Sequence, residues 1–443
     1  MVSGMTIVDV RQGDCLAVLR DLPDNSVDAV ITDPPYGLSN TKPDQVADVL
    51  AAWVTGDTEA VPSTRGGFMG KDWDSFVPPP AVWEECMRVL KPGGHMAVFA
   101  GARTQDLMGL SIRLAGFEIR DTLGWIYGSG FPKSMDVSKA IDKAVGVEGK
   151  RGPMKRGGER LALLEDGKRD GGGTWGDESG RDPYTYVAGS PEAERWSGWG
   201  TALKPAIEPI ILARKPLVGT VAGNVLAHGV GGLNIDACRV GMSDADREAA
   251  KVPQPVQHND GRAVYQMGTG EGRNGATFEP APAGRFPANV LLDEHAAKEM
   301  DEQSGWLKTG SHMTHHVYQE SNNASMSGKN YKRSPRYDQP ANEGGASRFF
   351  PVFKYQAKAP KRERPVIERE DGTKVQHPTV KPVALMEWLV TLITPPGGTI
   401  LDPFAGSGTT LQAARDKGFR AIGVEQDPEY VKLIERRLSR DAA

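Results

Sequence analysis

The segment from Thr399 to Glu425 does more than any other to restrict the folds open to this chain. It holds a short apolar strand, TILD, a glycine-containing loop, FAGSG, a helical stretch closed by Gly418, and a second strand that ends in Glu425. A strand, a crossover helix and a second strand in this order predict a βαβ unit, and such units build parallel sheets covered by helices. The sequence therefore predicts an α/β fold.

The same alternation recurs at both ends of the chain. Strands are predicted at 5–10, 27–31, 95–100, 117–127 and 206–215, and helices near 15–22, 81–92, 381–393 and 428–438. Gly93 and Gly94 follow one of these helical patterns and are expected to cap its end. The segment 206–215 is predicted to pair as a hairpin with 117–127 across a long insertion. The residues 134–200 and 217–365 are glycine-rich and weakly patterned, which is typical of functional insertions or of disorder.

Bulk properties exclude several classes of protein. No apolar run is long enough to cross a bilayer, and no leader pattern stands at the N-terminus. The three cysteines, Cys15, Cys86 and Cys238, are odd in number and far apart. They do not form a disulfide framework and are typical of a reducing compartment, so we expect a cytoplasmic protein. The net charge of -4 means that any nucleic-acid surface is a local basic patch.

The glycine loop narrows the choice of ligand. Gly406 and Gly408 allow a tight turn at a helix N-terminus, and Glu425 lies close to the offset of about 20 residues at which an acid grips ribose hydroxyls. Leu411 stands where the NAD fingerprint needs Gly or Ala, and no P-loop lysine follows Gly408, so NAD and triphosphates are disfavoured. Asp402 would repel a pyrophosphate but suits a cationic amine. S-adenosylmethionine (AdoMet) fits these groups; an ordinary βα turn is the alternative.

A second motif, TDPPYG, follows the apolar stretch Val27–Ile31. Its two prolines end ladder pairing and fix the backbone. The turn therefore holds the carboxylate of Asp33 and the ring of Tyr36 rigidly at the end of a buried strand. By itself the motif is also compatible with a rigid surface turn.

The two motifs together resemble those of the DNA amino-methyltransferases that modify adenine N6 or cytosine N4. DPPY near the N-terminus and DPFAGSGT near the C-terminus match the β-class order, and GDC (13–15) and HPTVKP (377–382) resemble further family motifs. SGFPKS, LKPAIEPIILARKP and GRFPANVLLD resemble large phage- and prophage-type members. The resemblance covers the N-terminal third, the strand at 206–215 and the last 80 or so residues.

The resemblance implies a Rossmann-like AdoMet-dependent methyltransferase fold, circularly permuted, with an inserted target-recognition region. It implies a largely parallel sheet of seven strands with one antiparallel strand, expected at the edge. The predicted division of the chain is 1–133 and 366–443 for the two catalytic halves, 134–200 for a glycine-rich charged insertion, 201–216 for a catalytic-domain strand, and 217–365 for target recognition with flexible loops.

The resemblance also assigns site residues. The catalytic residues are Asp33, Pro34, Pro35 and Tyr36. The Asp33 carboxylate and the Pro34 carbonyl would accept from the exocyclic amine of a flipped base, and Tyr36 would stack on that base. The residues expected to bind the cofactor are Asp14, Cys15, Thr379, Lys381, Asp402, Phe404, Gly406, Ser407, Gly408, Thr409 and Glu425.

Four of these carry a more specific expectation. Cys15, with its neighbour Asp14, is expected at the cofactor adenine. Thr379 and Lys381 are expected at the methionine carboxylate, a charge-assisted contact. A solvated lysine at a helix start is the alternative reading of Lys381.

Candidate DNA contacts lie in the middle of the chain. The segment KNYKRSPRY interleaves basic and aromatic residues and predicts phosphate contacts from Lys329, Lys332, Arg333 and Arg336, although a solvated loop is an alternative. His312, His315 and His316 lack further ligands nearby, so we expect a polar loop and no metal.

The favoured function is methylation of adenine N6 in double-stranded DNA with AdoMet as methyl donor. Cytosine-N4 methylation is the first alternative, and an inactive DNA-binding module is the second. Cytosine-C5 methylation is disfavoured because none of the three cysteines follows a proline. RNA or protein-glutamine methylation is disfavoured because glutamine-modifying relatives tend to carry Asn in place of Asp33. A homodimer and a cognate restriction nuclease stay open as further partners.

Overall fold

The computed structural model describes residues 8–39, 41–63, 74–128, 134–154, 184–249, 283–309, 342–353 and 364–439, with six short strands between residues 252 and 333. The chain divides into two compact units. One lies within residues 1–128 and 207–443, and the other within residues 129–206. No helix among these described residues is long and apolar enough to span a membrane.

The larger unit is built on one sheet, whose described strands we number in chain order. They are β1 (Val8–Gln12), β2 (Val27–Thr32), β3 (Leu90–Phe99), β4 (Glu118–Ile126), β5 (Ile207–Arg214), β6 (Val290–Asp293), β7 (Val352–Phe353), β8 (Thr399–Asp402) and β9 (Arg420–Glu425). Their order across the sheet is β1-β9-β8-β2-β3-β5-β4-β6-β7. The α/β fold with a mostly parallel sheet is confirmed.

One strand runs against the others. β5 pairs antiparallel with both β3 and β4, while the remaining neighbours are parallel. The predicted pairing of 206–215 with 117–127 is therefore confirmed. The prediction that the reversed strand lies at the edge is wrong, and the predicted count of seven strands is too low. β4 pairs with β5 on the side away from β3, and the short strands β6 and β7 from the middle of the chain extend the sheet beyond β4.

Helices cover both faces of this sheet. They are α1 (Cys15–Arg20), α2 (Pro43–Thr55), α3 (Pro80–Val89), α4 (Gln105–Leu114), α5 (Val221–His228), α6 (Asp244–Ala249), α7 (Glu294–Ser304), α8 (Val383–Ile393), α9 (Thr409–Asp416) and α10 (Pro428–Ser439). Short 3-10 turns lie at Asp236–Cys238 and Ala346–Phe349. The shorter strand pairs of this unit join 252–253 to 277–278, 256–257 to 263–264, 307–309 to 342–344, 318–320 to 331–333, and 367–368 to 374–375.

The end of α3 differs from the prediction. The helix stops at Val89, and Leu90 already begins β3. Pro92 disfavours a helical conformation at the residue before it, which ends the helix earlier than its apolar pattern suggests. Gly93 therefore does not cap α3; its N–H donates to the Lys215 carbonyl at 3.1 Å.

Two apolar clusters fix the sheet between its helical layers. One contains Leu19 and Trp83, and the other contains Leu389 and Ile434; all four are fully buried. Every residue of β2 is buried, because helices lie over both faces. Parallel strands of this kind bring their carboxyl ends to one edge, where binding sites form in α/β sheets.

The smaller unit has its own hydrogen-bonded centre. It contains a helix, Val137–Val145, a two-stranded antiparallel pair, Lys150–Met154 with Tyr184–Val187, and a short helix, Pro191–Glu194. The buried Asp142 carboxylate accepts from Tyr186 Oη at 2.8 Å, from Gly189 N at 2.7 Å and from Ser190 Oγ at 2.6 Å. These bonds satisfy a carboxylate that would otherwise be costly to bury.

Candidate active site

The two motifs meet at the carboxyl edge of the sheet. TDPPYG follows β2, the glycine loop follows β8, and Glu425 ends β9; these three strands are direct neighbours. Together they line a cavity of about 840 Å³. Every predicted catalytic and cofactor residue lines this cavity except Gly408, which lies at its helix boundary. Residues separated by most of the chain are thus brought to one site.

The TDPPYG turn is anchored by a residue outside the motif. Asp74 Oδ1 accepts from the backbone N–H of Tyr36 at 2.6 Å and of Gly37 at 3.0 Å. Thr104 Oγ1 donates to the Tyr36 carbonyl at 2.6 Å. Gly37 has φ +67°, and a Cβ there would approach the backbone nitrogen of Val77 to 2.7 Å. Three hydrogen bonds from Asp74 and Thr104 therefore fix the turn, and its last residue, Gly37, has to be glycine.

Both oxygens of the Asp33 carboxylate already have partners. Tyr36 Oη donates to Oδ1 at 2.7 Å, and Lys381 Nζ donates to Oδ2 at 2.7 Å. Burial, then the charges of Asp33 and Glu208, raises the pKa of Tyr36 well above its usual range, so the phenol stays protonated. A carboxylate has roughly four lone-pair positions, so Asp33 retains capacity to accept a further donor.

The structure gives Lys381 a setting that the sequence did not predict. Its Nζ lies against Asp33 and at 3.0 Å from Tyr36 Oη, and 3.3 Å from Glu208 Oε2. Burial alone would lower the pKa of Lys381, but Asp33 and Glu208 more than offset that effect and raise it above its usual value. Lys381 is thus a charged member of the Asp33 cluster. Its predicted contact with a methionine carboxylate stays a prediction.

The glycine loop is tied to the acid that ends β9. Gly406 N donates to Glu425 Oε2 at 2.8 Å, and Asp427 N donates to Oε1 at 2.8 Å. Gly406 and Gly408 have φ of +53° and +79°, and a Cβ on Gly406 would lie 3.1 Å from the His377 ring. Burial raises the pKa of Glu425 to about 7, although these two N–H groups oppose the rise. Glu425 therefore ionises near neutral pH.

Asp402 lies beneath the same loop and is only 2% exposed. Thr32 Oγ1 donates to its Oδ1 at 2.7 Å, and Phe404 N donates at 3.1 Å. Burial raises the pKa of Asp402 to about 6, against the hydrogen bonds from Thr410 and Thr32. Asp402, which the sequence assigns to a cationic amine, therefore also links β2 to the glycine loop.

A buried arginine supports the glycine loop from α10. Arg437 Nε donates to the Ser407 carbonyl at 2.6 Å, and its Nη1 donates to Gln412 Oε1 at 2.8 Å. Arg437 is 3% exposed. It was not predicted, although the helical spacing of α10 places it on the buried face with Tyr430, Leu433 and Ile434, whereas its neighbour Arg436 is exposed.

The start of α1 forms another wall. The Asp14 side chain caps α1 by accepting from Ala17 N at 3.0 Å, and Gly13 N donates to the Glu425 carbonyl at 3.0 Å. Burial and the Asp14 charge raise the pKa of Cys15 to about 12. The thiol is therefore protonated and unsuited to nucleophilic chemistry.

The HPTVKP segment closes the opposite wall. The His377 ring packs edge-on against Tyr430, with centroids 4.7 Å apart, and its Nδ1 contacts the Thr379 carbonyl. Burial lowers the pKa of His377, which favours the neutral ring. Phe404 packs on Trp83 at 6.4 Å between ring centroids. The rings of His377, Tyr430 and Phe404 provide apolar surface in a cavity whose charged groups are mostly acidic.

The residues present fit AdoMet. Two carboxylates, a glycine loop at a helix N-terminus and flat apolar rings surround one cavity. The carboxylates suit a cationic amine or ribose hydroxyls. The glycine loop lets the ligand approach the backbone closely, and the flat rings suit a purine ring. Among the described residues, no group of three His, Cys, Asp or Glu side chains is arranged to hold a metal ion.

Sequence reasoning missed several residues of the site or gave them no role, among them Asp74, Glu208, His377 and Tyr430. Glu208 is an acid inside the apolar run of β5, a signal that could have been recognised. Asp74 follows Tyr36 by 38 residues and gives no local signal.

The predicted DNA contacts and the histidine cluster fall largely outside the described residues. This applies to Lys329, Arg336, His312, His315 and His316. Lys332 and Arg333 belong to the short strand Tyr331–Arg333, of which the structure describes only the backbone.

Comparison with families of known proteins gives a match that covers most of the chain. Residues 27–148 and 199–436 match the family of N6 and N4 enzymes described as DNA methylase. Type II methyltransferase M2.DpnII of Streptococcus pneumoniae is 46% identical over 63 residues, which is 14% of this chain and 24% of that protein. DNA adenine methyltransferase YhdJ of Escherichia coli (strain K12) is 47% identical over 62 residues, which is 14% of this chain and 21% of that protein. The matched stretch thus spans about a quarter of these curated relatives.

A solved structure, that of M1.HpyAVI with SAM, aligns over 97% of this chain and 100% of its own, with 14% identity and a TM-score of 0.35.

Proposed function

The chain belongs to the N6/N4 family of DNA methylases, and from this premise we propose that it transfers a methyl group from AdoMet to the N6 amine of adenine in double-stranded DNA. The observation that carries the proposal is the shared cavity. The rigid TDPPYG turn and the glycine loop with its acid open into the same space of about 840 Å³. One cavity can therefore hold a methyl donor and a flipped base side by side, and positioning of this kind accounts for most of the rate of a direct displacement.

The cofactor half of the cavity is formed by residues after β8 and β9. Glu425 would accept from ribose hydroxyls, and the buried Asp402 would attract the cationic amine. Gly406 lets the backbone approach closely, and Arg437 keeps the loop in shape through the Ser407 carbonyl. When bound, AdoMet supplies an electrophilic methyl group on its sulfonium.

The base half of the cavity is formed by the turn after β2. An exocyclic amine is a weak nucleophile because its lone pair is delocalised into the ring. The Asp33 carboxylate and the Pro34 carbonyl would accept its two N–H groups and favour the more nucleophilic, pyramidal form. Tyr36 would stack on the base once it has left the duplex. The protonated thiol of Cys15 has no part in this chemistry.

Two observations favour adenine over cytosine. The DPPY motif begins with Asp33, a stronger acceptor than the Ser more common in cytosine-N4 enzymes. A relative of similar sequence, over a short stretch, is a DNA adenine methyltransferase. Mass spectrometry of nucleosides from DNA methylated in vitro tests the assignment. N4-methylcytosine as the main product, with no N6-methyladenine, would overturn adenine while leaving the family unchanged.

Replacing Asp33 tests the chemistry separately from binding. Asp33→Ala should lower the transfer rate by about 100-fold or more, the usual cost of removing one group that stabilises a transition state. AdoMet affinity, measured by calorimetry without DNA, should change little because Asp33 faces the base. Asp44→Ala is a matched control, since Asp44 is exposed at the start of α2. Near-normal turnover of Asp33→Ala would refute the role given to the turn.

A further inference from the structure

Lys381 is an ammonium group between two carboxylates. Its Nζ is 2.7 Å from Asp33 Oδ2 and 3.3 Å from Glu208 Oε2. The side chain is 11% exposed, and the rings of Phe99 and Tyr36 have centroids 4.8 Å and 5.3 Å from Nζ. An ammonium so enclosed is stable only while a carboxylate compensates its charge.

The ion pair with Asp33 competes with the role proposed for that carboxylate. Asp33 has to accept a hydrogen bond from the target amine, but it already accepts from Tyr36 Oη and Lys381 Nζ. A cation held at 2.7 Å also withdraws electron density from the carboxylate and weakens it as an acceptor. Asp33 therefore serves the amine best after Lys381 has moved away.

Glu208 lies where it can receive that ammonium. It belongs to β5, which is fixed inside the sheet by pairing with β3 and β4. Its Oε2 is buried and lies 3.3 Å from Lys381 Nζ, farther than the 2.7 Å between that ammonium and Asp33 Oδ2. A full hydrogen bond from Lys381 would satisfy this oxygen. An ammonium that moves from Asp33 to Glu208 therefore stays paired with a carboxylate.

We propose that Glu208 is a positioning residue for methyl transfer, which takes over the ammonium of Lys381 when Asp33 engages the amine of the target base. The inference rests on the proposed function. Glu208 acts through Lys381, and its charge is the property that matters.

The first experiment compares Glu208→Gln with the wild type in single-turnover methyl transfer. The probes are radiolabelled AdoMet and genomic DNA from a host without DNA methylases. Glutamine keeps the shape but not the charge, so the rate should fall by about tenfold or more, while the AdoMet dissociation constant stays within about twofold. Glu118→Gln is the matched control. Glu118 pairs with Arg214 of β5 at 2.7 Å and does not line the cavity.

A second measurement separates positioning from general damage. In a Lys381→Met background no ammonium remains, so Glu208→Gln should change the rate by less than about twofold. Product is counted by mass spectrometry after long incubation, which keeps slow variants measurable. Glu208→Asp keeps the charge on a shorter side chain and should be slowed by about threefold, less than Glu208→Gln.

A wild-type rate in Glu208→Gln, or equal slowing with and without Lys381, would overturn the proposal. If Glu208→Gln does not fold, Glu208→Asp decides: slowing with unchanged AdoMet affinity supports the proposal, and a wild-type rate overturns it. A wild-type protein that methylates no DNA would instead refute the proposed function, so the two failures are distinguishable.

Discussion

Replacing Glu425 by Gln should remove most of the pH dependence of AdoMet binding between pH 6 and pH 7. The carboxylate can hold ribose hydroxyls as a strong acceptor only when ionised. Burial raises its pKa to about 7, so much of the free protein carries the neutral acid at pH 6. Binding to the ionised form lowers this pKa, and linkage then requires that affinity rises with pH through the pKa of the free protein.

The expected magnitude follows from the two raised pKa values. With a pKa of about 7, the ionised fraction of Glu425 rises from roughly 9% at pH 6 to roughly 50% at pH 7, about a fivefold gain in affinity. With a pKa of about 6, Asp402 goes from roughly 50% to roughly 91% ionised, about a twofold gain. The wild type should thus gain roughly tenfold and Glu425→Gln roughly twofold.

Titration calorimetry without DNA measures both effects. The range below pH 7 is chosen because the α-amino group of AdoMet, with a pKa of about 7.7–8.0, stays mostly protonated there. At pH 7 the variant should also bind more than about tenfold more weakly, the loss of one hydrogen bond to a charged group. Glu435→Gln is a control on an exposed site of α10. A flat wild-type profile, or the same slope in Glu425→Gln, would refute the assignment of Glu425 to the cofactor.

Three further predictions concern the supports of the site and the DNA. Asp74→Ala should lower the free energy of unfolding by about 2–3 kcal/mol, since two backbone N–H groups lose their acceptor; Asp74→Asn should keep most of it, and chemical denaturation of both variants checks this. Arg437→Met should weaken AdoMet binding by about tenfold through the loosened glycine loop, measured by calorimetry; unchanged affinity would remove Arg437 from the loop's support. Neutralising Lys332, Arg333 and Arg336 together should flatten the salt dependence of DNA binding by up to about one slope unit per lost phosphate contact and leave AdoMet affinity unchanged, with an unaltered slope counting against a role for the segment.

Much of the fold could be read from local patterns. The run Val27–Ile31 is apolar and β-branched, and it forms the buried strand β2. The strand–glycine loop–helix–strand order of Thr399 to Glu425 forms the predicted βαβ unit. The predictions were wrong in two places. The apolar pattern of α3 runs on to Pro92, but the proline ends the helix earlier. The strands β6 and β7 are too short to be recognised in an irregular region of the sequence.

The amino-acid sequence by itself determined the backbone chemistry of the site. Prolines make the turn that carries Asp33 rigid, and glycines allow the tight loop that precedes α9. Glu425 is the last residue of an apolar strand. Each is a property of a few adjacent residues, because dihedral preferences and burial patterns act over short distances along the chain.

Only the tertiary structure decided which charges meet. Lys381 lies 348 residues from its partner Asp33 in the chain, and Asp74 reaches Tyr36 across 38 residues. Such pairs depend on the order of strands in the sheet, which places β5 beside β3 and β8 beside β2. A charged side chain has no local pattern that names its partner. The ammonium shared by Asp33 and Glu208 therefore became visible only when the fold had brought three distant segments together.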